Sequence, residues 1–399
     1  MTATTREFDP TSSTFFDDPY DIYAWMRDEA PVYYSERHGF YALSRYEDVL
    51  AAHKDTDTYS SAYGVTLESL QLGIKFPPGI LIMMDPPEHE RMRKLVRQAF
   101  TRKSISNLEP LVTDVITGLL APLDGRTSFD IVAEFAAPFP VEIISAMLGL
   151  PEGERQQIRH WIDAFLHRDE GDAATTQEGM QAIAQLNAYM LEQARAKRRA
   201  PDGLILSQLL DAVVADDDGA EHRLTDSDVA SFVVLLAGAG AETVTKLIGN
   251  GVLDFERHPE QWQRVLEDRS LVVPAVEEML RLHPPSQYQG RYTTCAVELH
   301  GVTIPANSPT LLVTGAASRD PRAYADPDAF DIDRGGLSSL AFGHGAHACI
   351  GAWLARLEAR VAFEQIATRW PRYTVDHAGL GRVQMANVAG YSNVPIAVG

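Results

Sequence analysis

Phe342-Gly343-His344-Gly345-Ala346-His347-Ala348-Cys349-Ile350-Gly351 is the stretch whose reading decides the fold. Gly343 and Gly345 allow a tight loop to approach another surface closely. Downstream, the pattern from about Ile350 to Trp370 reads as a helix that stops at Pro371. Cys349 therefore falls where a long helix starts, beside free backbone N–H groups and the positive end of the helix dipole. Both stabilise a thiolate, and the same donors can hydrogen-bond a sulfur that ligates a metal. Two plainer readings compete. A lone cysteine is most often a small buried hydrophobe. A structural zinc site, which His344 and His347 could suggest, needs four ligands, and the only other cysteine, Cys295, has no Cys-x-x-Cys partner.

The clearest helix lies upstream. Thr225 and Asp228 form a capping box, and the apolar pattern behind them runs to about His258, where Pro259 stops it. That predicts roughly 33 residues and about 50 Å of helix. At its centre, Ala239-Gly240-Ala241-Glu242-Thr243 puts small residues beside a carboxylate and a hydroxyl. A glycine inside a helix costs about 1 kcal/mol relative to alanine. Gly238 and Gly240 therefore serve either close helix packing or a locally widened helix against which a flat group can lie. Glu278-Met279-Leu280-Arg281 closes a helix predicted from about Leu271 to Leu282. Alone, its i, i+3 Glu–Arg pair is an ordinary solvated pair. In Asp85-Pro86-Pro87-Glu88-His89-Glu90-Arg91-Met92-Arg93, His89 and Arg93 share one helix face, which on its own is a basic solvated stripe continued by Arg97.

Taken together in this order, the segments resemble the cytochrome P450 family. The Cys349 segment matches the family's haem-binding loop, Phe-x-x-Gly-x-His/Arg-x-Cys-x-Gly, at every fixed position, and the resemblance covers essentially the whole chain. It implies a mainly α fold, a large helical body with a smaller β region, and a b-type haem held by the Cys349 thiolate. It assigns Phe342, Gly343, Ala239 and Gly240 to the haem pocket, and His89, Arg93, Arg291 and His347 to the haem propionates, which need cationic or hydrogen-bonding partners. Thr243 and Glu242 match the family's acid–alcohol pair for proton delivery. Glu278, Arg281 and Arg334, the last following Asp326-Pro327-Asp328-Ala329-Phe330-Asp331-Ile332-Asp333, match a buried structural network.

Composition agrees with a globular enzyme. The 399 residues are 45% hydrophobic, enough for a large core, and a formal net charge of −20 excludes a general nucleic-acid binder. The polar, acidic stretch from Met1 to Tyr20 has neither a basic n-region nor an apolar run behind it. The longest apolar run, Val229 to Ala241, is too short to span a bilayer. A cytoplasmic protein without a membrane segment is the expectation, and two cysteines in so long a chain fit a reducing compartment. Short strands are predicted near both ends: Val32–Tyr34 with Gly39–Leu43, and Ala296–Leu299 with Val302–Ile304. No linker or repeat divides the chain, so one domain over residues 1–399 is expected, with 1–15 as a loose tail.

The resemblance implies a monooxygenase that uses O2 and a thiolate-ligated haem, in which thiolate donation favours O–O cleavage. No dinucleotide fingerprint is present, so electrons are expected from a ferredoxin and its NAD(P)H-dependent reductase. By position in the family pattern, a lipophilic small molecule would be lined by the segment from Tyr63 to Met84, including Ile82, by Leu236 and Ala239, by Gln287 and Tyr288, and by the turn at Val388–Tyr391. Arg356 and Arg360, with Arg97, Arg102 and Lys103, could form a cationic face for an acidic ferredoxin or simply a solvated one. A peroxide-driven haem enzyme or a haem sensor would share the fold; Glu242 and Thr243 argue against both.

Overall fold

Thr225 Oγ1 accepts from the Asp228 N–H at 3.1 Å while the Asp228 carboxylate accepts from the Thr225 N–H at 2.9 Å. The helix this box opens runs through Asp226–Arg257 in the computed structural model, which describes residues 6–77, 79–215, 221–335 and 339–399. By length and composition alone this helix could cross a membrane, yet 67% of its most apolar window is buried within the protein. Helices Pro138–Leu148, Arg155–Leu166, Gln177–Arg199, Val272–Leu282 and Ala352–Arg369 pack against it, and Phe232, Ile248 and Phe255 are among the side chains it contributes to the core. Gly251 shows how close the packing is. A Cβ there would sit 2.5 Å from Met279 Sδ and from Phe363 Cζ.

Both expected hairpins form. Strand β1 (Val32–Ser35) pairs antiparallel with β2 (Phe40–Leu43), and Val297–Leu299 pairs with Val302–Ile304. With β3 (Tyr59–Ser60), β4 (Gln289–Thr293) and β5 (Pro309–Leu312), the first hairpin builds a five-stranded sheet in the order β1-β2-β5-β4-β3, parallel only between β2 and β5.

The N-terminal tail corrects an expectation. Met1–Thr5 lie outside the described residues, but Phe8 is 2% exposed, and Phe15 and Phe16 sit beside it in a second core with Tyr23, Phe40 and Leu311. Apolar residues among polar neighbours have no period that a sequence reading can follow, which is why this segment looks loose on paper.

The Glu278–Arg281 pair is interior rather than solvated. Arg281 Nε and Nη2 each donate to the Glu278 carboxylate at 2.8 Å, and Arg334 Nε donates to the same group at 2.9 Å. Arg281 also reaches the carbonyls of Ser318, Pro327 and Ala329. One carboxylate thus ties the end of its own helix to the 326–334 loop, and that loop feeds the Cys349 segment.

Candidate active site

Cys349 precedes the helix expected to follow it by a short step: the helix begins at Ala352 and Gly351 is its cap. Phe342 O accepts from the Cys349 N–H at 2.8 Å and closes the loop. Gly343 and Gly345 adopt φ of 61° and 69°, the left-handed region that favours glycine. At Gly345 a Cβ would lie 2.6 Å from the His53 carbonyl oxygen, so the loop is pressed onto the backbone of the Tyr46–Lys54 helix. The Gly351 N–H, Arg93 and Arg356 favour the thiolate, as expected for this position. Burial outweighs them and pushes the Cys349 thiol up. A metal cation at the sulfur reverses that balance, because a coordinating thiol is deprotonated. Cys349 is walled by protein yet keeps accessible surface, as a side chain facing an internal recess does.

A cradle of cationic groups lies beside this loop. His89 and His347 stack with ring centroids 4.1 Å apart. Both ring nitrogens of His89 and Nε2 of His347 are buried without a hydrogen-bond partner. Burial, then neighbouring cations, lower His89 to about 4, with Arg93 the foremost of those charges. Arg291 is 4% exposed, and burial lowers it to about 10 although Asp85 opposes. Arg93 Nη2 donates to the Ala348 carbonyl at 2.6 Å, joining the His89 helix (Glu88–Val96) to the cysteine loop. His53 belongs to the same cradle and escaped the sequence reading, since nothing in its local pattern marks it. It is 2% exposed, its ring nitrogens are unpartnered, and burial, then Arg291, lower it to about 3. Buried donors and potential cations without an anion are costly. A ligand bearing carboxylates satisfies them, so the residues present fit a haem with its two propionates.

In the long helix, Gly238 and Gly240 have nothing within 4 Å of a built Cβ, and Ala239 is exposed although the helix is central. Helix–helix packing is thus not what these small residues serve; they border open space. The expectation of a widened, glycine-broken helix is corrected. The helix is continuous through this stretch. Thr243 Oγ1 donates to the Ala239 carbonyl at 2.8 Å, which commits its only hydrogen and leaves the oxygen as an acceptor. Glu242 points elsewhere. It is 2% exposed and forms an ion pair with Lys246 Nζ at 2.8 Å.

The other expected residues divide. Leu236 is in the main core and Ile82 is half-buried. Gln287 and Tyr288 are buried with their polar atoms occupied by protein: Tyr23 Oη donates to Gln287 Oε1 at 3.0 Å, Gln287 Nε2 donates to the Pro284 carbonyl, and Tyr288 Oη donates to the Ala386 carbonyl. They are not free anchors for a ligand. Tyr391 is likewise buried, with the Arg382 guanidinium 3.9 Å above its ring. The cationic face is smaller than expected. Arg356 pairs with Glu277 and lies over Phe342, and Arg360 pairs with Glu109 and Glu364. Arg97, Arg102 and Lys103 remain exposed, and Arg102 lies 5.2 Å from the ring of Trp353, itself 45% exposed.

Comparison with known proteins bears on this arrangement. The model of the cytochrome P450 family matches residues 19–370. An erythromycin C-12 hydroxylase from Saccharopolyspora erythraea is 40% identical over 356 residues, covering 88% of this chain and 87% of that protein. A vitamin D(3) 25-hydroxylase from Pseudonocardia autotrophica is 36% identical over 406 residues, covering 100% and 98%. The solved structure of a mutant P450 EryK in complex with erythromycin B superposes with a TM-score of 0.86 at 38% identity, covering 95% of each chain.

Proposed function

The chain belongs to the cytochrome P450 family, and from that premise we propose that it oxidises a lipophilic small molecule with electrons from a ferredoxin and its NAD(P)H-dependent reductase. Cytochromes P450 are haem-thiolate monooxygenases that use O2 and a redox partner, so this chain is an oxidoreductase with haem b as cofactor. Bound haem supplies activation of O2, with insertion of one oxygen atom into a C–H bond and release of the other as water. Everything else falls to the protein.

Cys349 would hold the haem iron in this reading, carried by its place in a glycine-bent loop closed by its N–H on the Phe342 carbonyl. His89, Arg93, Arg291, His347 and His53 take the propionates and regain the anionic partner they lack. Ala239 and Gly240 offer a flat, open wall, and Phe342 and Gly343 border the cysteine side. The Thr243 oxygen accepts a hydrogen bond from water, and Glu242 relays protons to that water. Ile82, Leu236 and Ala239 meet the substrate, while Gln287, Tyr288 and Tyr391 support the wall from behind. Two relatives whose names specify erythromycin and vitamin D3 support a large, mostly apolar substrate with a few polar groups. A ferredoxin docks at Arg97, Arg102, Lys103 and Trp353. The single domain over 1–399 works in the cytoplasm.

Reduced protein exposed to carbon monoxide should give the strongly red-shifted Soret band of thiolate ligation, and Cys349→Ala should lose it. An unchanged band in that variant refutes the assignment.

A further inference from the structure

Behind the long helix, on the side to which Glu242 points, a cleft of about 710 Å³ opens between the Arg155–Leu166 helix, the start of the Gln177–Arg199 helix, and residues 382–385. Glu242 and Lys246 form its floor, 2% and 3% exposed. Asp163 stands at its wall. The Asp163 side chain is one third accessible, accepts from Arg159 Nη1 at 2.9 Å, and comes within hydrogen-bonding reach of the Glu242 carboxyl.

Two buried carboxyls within hydrogen-bonding reach of one another tend to share a proton, since like charges at that distance repel strongly. The surroundings decide which one holds it. Burial and then the adjacent Glu242 raise Asp163 to about 8. Burial would raise Glu242 as well, but Lys246 and the Asp163 hydrogen bond overcome it and lower Glu242. The resting pair is therefore Asp163–COOH against Glu242–COO⁻, the latter clamped by Lys246. The remaining ionisable groups around the cleft are Arg159, His160 and His167 from the Asp163 side, Glu178 from the next helix, and Arg382 opposite.

We propose that Asp163 is the outer station of the proton path: it hands its proton to Glu242 and refills from water in the cleft. The step balances. The Asp163 O–H bond breaks and a Glu242 O–H bond forms. The negative charge moves to Asp163, where the Arg159 guanidinium already waits, and a proton from bulk solvent, relayed through water in the cleft, restores the acid and leaves the relaying water neutral. Once neutral, Glu242 no longer holds Lys246 by charge, and its carboxyl is released to turn toward Thr243. Asp163 acts through Glu242 and is a positioning and supply residue. The inference rests on Glu242 being the relay acid proposed above.

The test uses holoprotein labelled with carbonyl-¹³C aspartate, so that haem propionates and glutamates do not contribute to the isotope-shifted infrared bands. At pH 7 the parent should show a protonated-aspartate band that Asp163→Asn removes. Its titration midpoint should fall toward the ordinary carboxyl range in Glu242→Gln and rise in Arg159→Gln. Turnover is followed as NAD(P)H oxidation with a surrogate ferredoxin and reductase. Asp163→Asn should slow it about tenfold, below the hundredfold that a directly acting acid supplies, with an enlarged solvent isotope effect, and Asp163→Glu should restore it. Absence of the band, or an unchanged rate and isotope effect in Asp163→Asn, overturns the proposal. If Glu242→Gln is slowed while Asp163→Asn is not, only the outer station fails; if neither is slowed, the relay reading itself fails.

Discussion

Glu278→Gln isolates the consequence of putting one carboxylate between two guanidinium groups in the interior. Glu278 accepts four hydrogen bonds, from Arg281 Nε and Nη2, Arg334 Nε and the Asp331 N–H, at 2.8 to 3.0 Å. Glutamine keeps at most one oxygen for them and turns an NH2 toward donors that can only repel it. With the Arg281 and Glu278 side chains 3% and 4% exposed, water cannot make up the loss. Hydrogen bonds to charged groups are worth about 1.5–3 kcal/mol each, and removing one partner of a buried pair costs roughly 3–5 kcal/mol. We expect a loss of about 4 kcal/mol, a large share of the roughly 5–15 kcal/mol that holds a protein together. The assay is urea unfolding followed by tryptophan fluorescence, with the Soret band recorded in parallel. Both should move to lower urea together, because Arg281 and Arg334 fix the loop that feeds the cysteine segment. A loss below about 1 kcal/mol for Glu278→Gln would mean that the network is solvated and the reasoning wrong.

Thr243→Ala should keep the thiolate spectrum and much of its substrate-dependent NAD(P)H consumption. It should give less product per NAD(P)H and more hydrogen peroxide, measured with a substrate found by spectral screening of a lipophilic library; equal coupling would return Thr243 to a packing role. Arg102→Glu should slow reduction by an acidic ferredoxin roughly fivefold at low salt and hardly at all in high salt, where charges are screened, with substrate affinity intact. Arg360 is a poorer probe because Glu109 and Glu364 already hold it. His53 titrates near 3 in the folded protein against an ordinary 6.5. The folded state thus binds fewer protons between those values, and stability is full above about pH 6.5 and lost as pH falls. At pH 5 one such histidine costs about 2 kcal/mol. In haem-free protein His53→Gln should therefore remove about that much of the loss in unfolding free energy between pH 8 and 5, and an unchanged pH slope would argue against its burial.

What could be read from the chain was whatever local chemistry repeats. Thr225, Asp228 and Pro259 bound the long helix because caps and stops act over a few residues, and Cys349 carries its own loop with it. The cradle around it is a different matter. His53 and Arg291 come to the His89–His347 stack from distant segments, and only tertiary packing makes them neighbours. Sequence read Glu242 and Thr243 as one unit because they are adjacent, but a helix turns about 100° per residue, so adjacency places them on different faces. Glu242 looks into the rear cleft toward Asp163 and Lys246, and no spacing rule ties it to a residue on another helix. Gln287 and Tyr288 misled for the opposite reason: their polar groups look available until the protein's own carbonyls and hydroxyls are seen to use them.

The second core has a consequence for how the molecule is made. Phe8, Phe15 and Phe16 are synthesised long before some of the partners that bury them, which include Leu311, Val313 and Ala389. At roughly 5–20 residues per second, those aromatic side chains wait tens of seconds for the surfaces that cover them. Through that interval they are exposed on a growing chain whose helical centre can already collapse on local contacts. This core therefore closes fully only after Ala389 has emerged. Truncation before Leu311 would leave the Phe8 cluster partly uncovered, a fault that chaperones and proteases can detect far along the chain from the break.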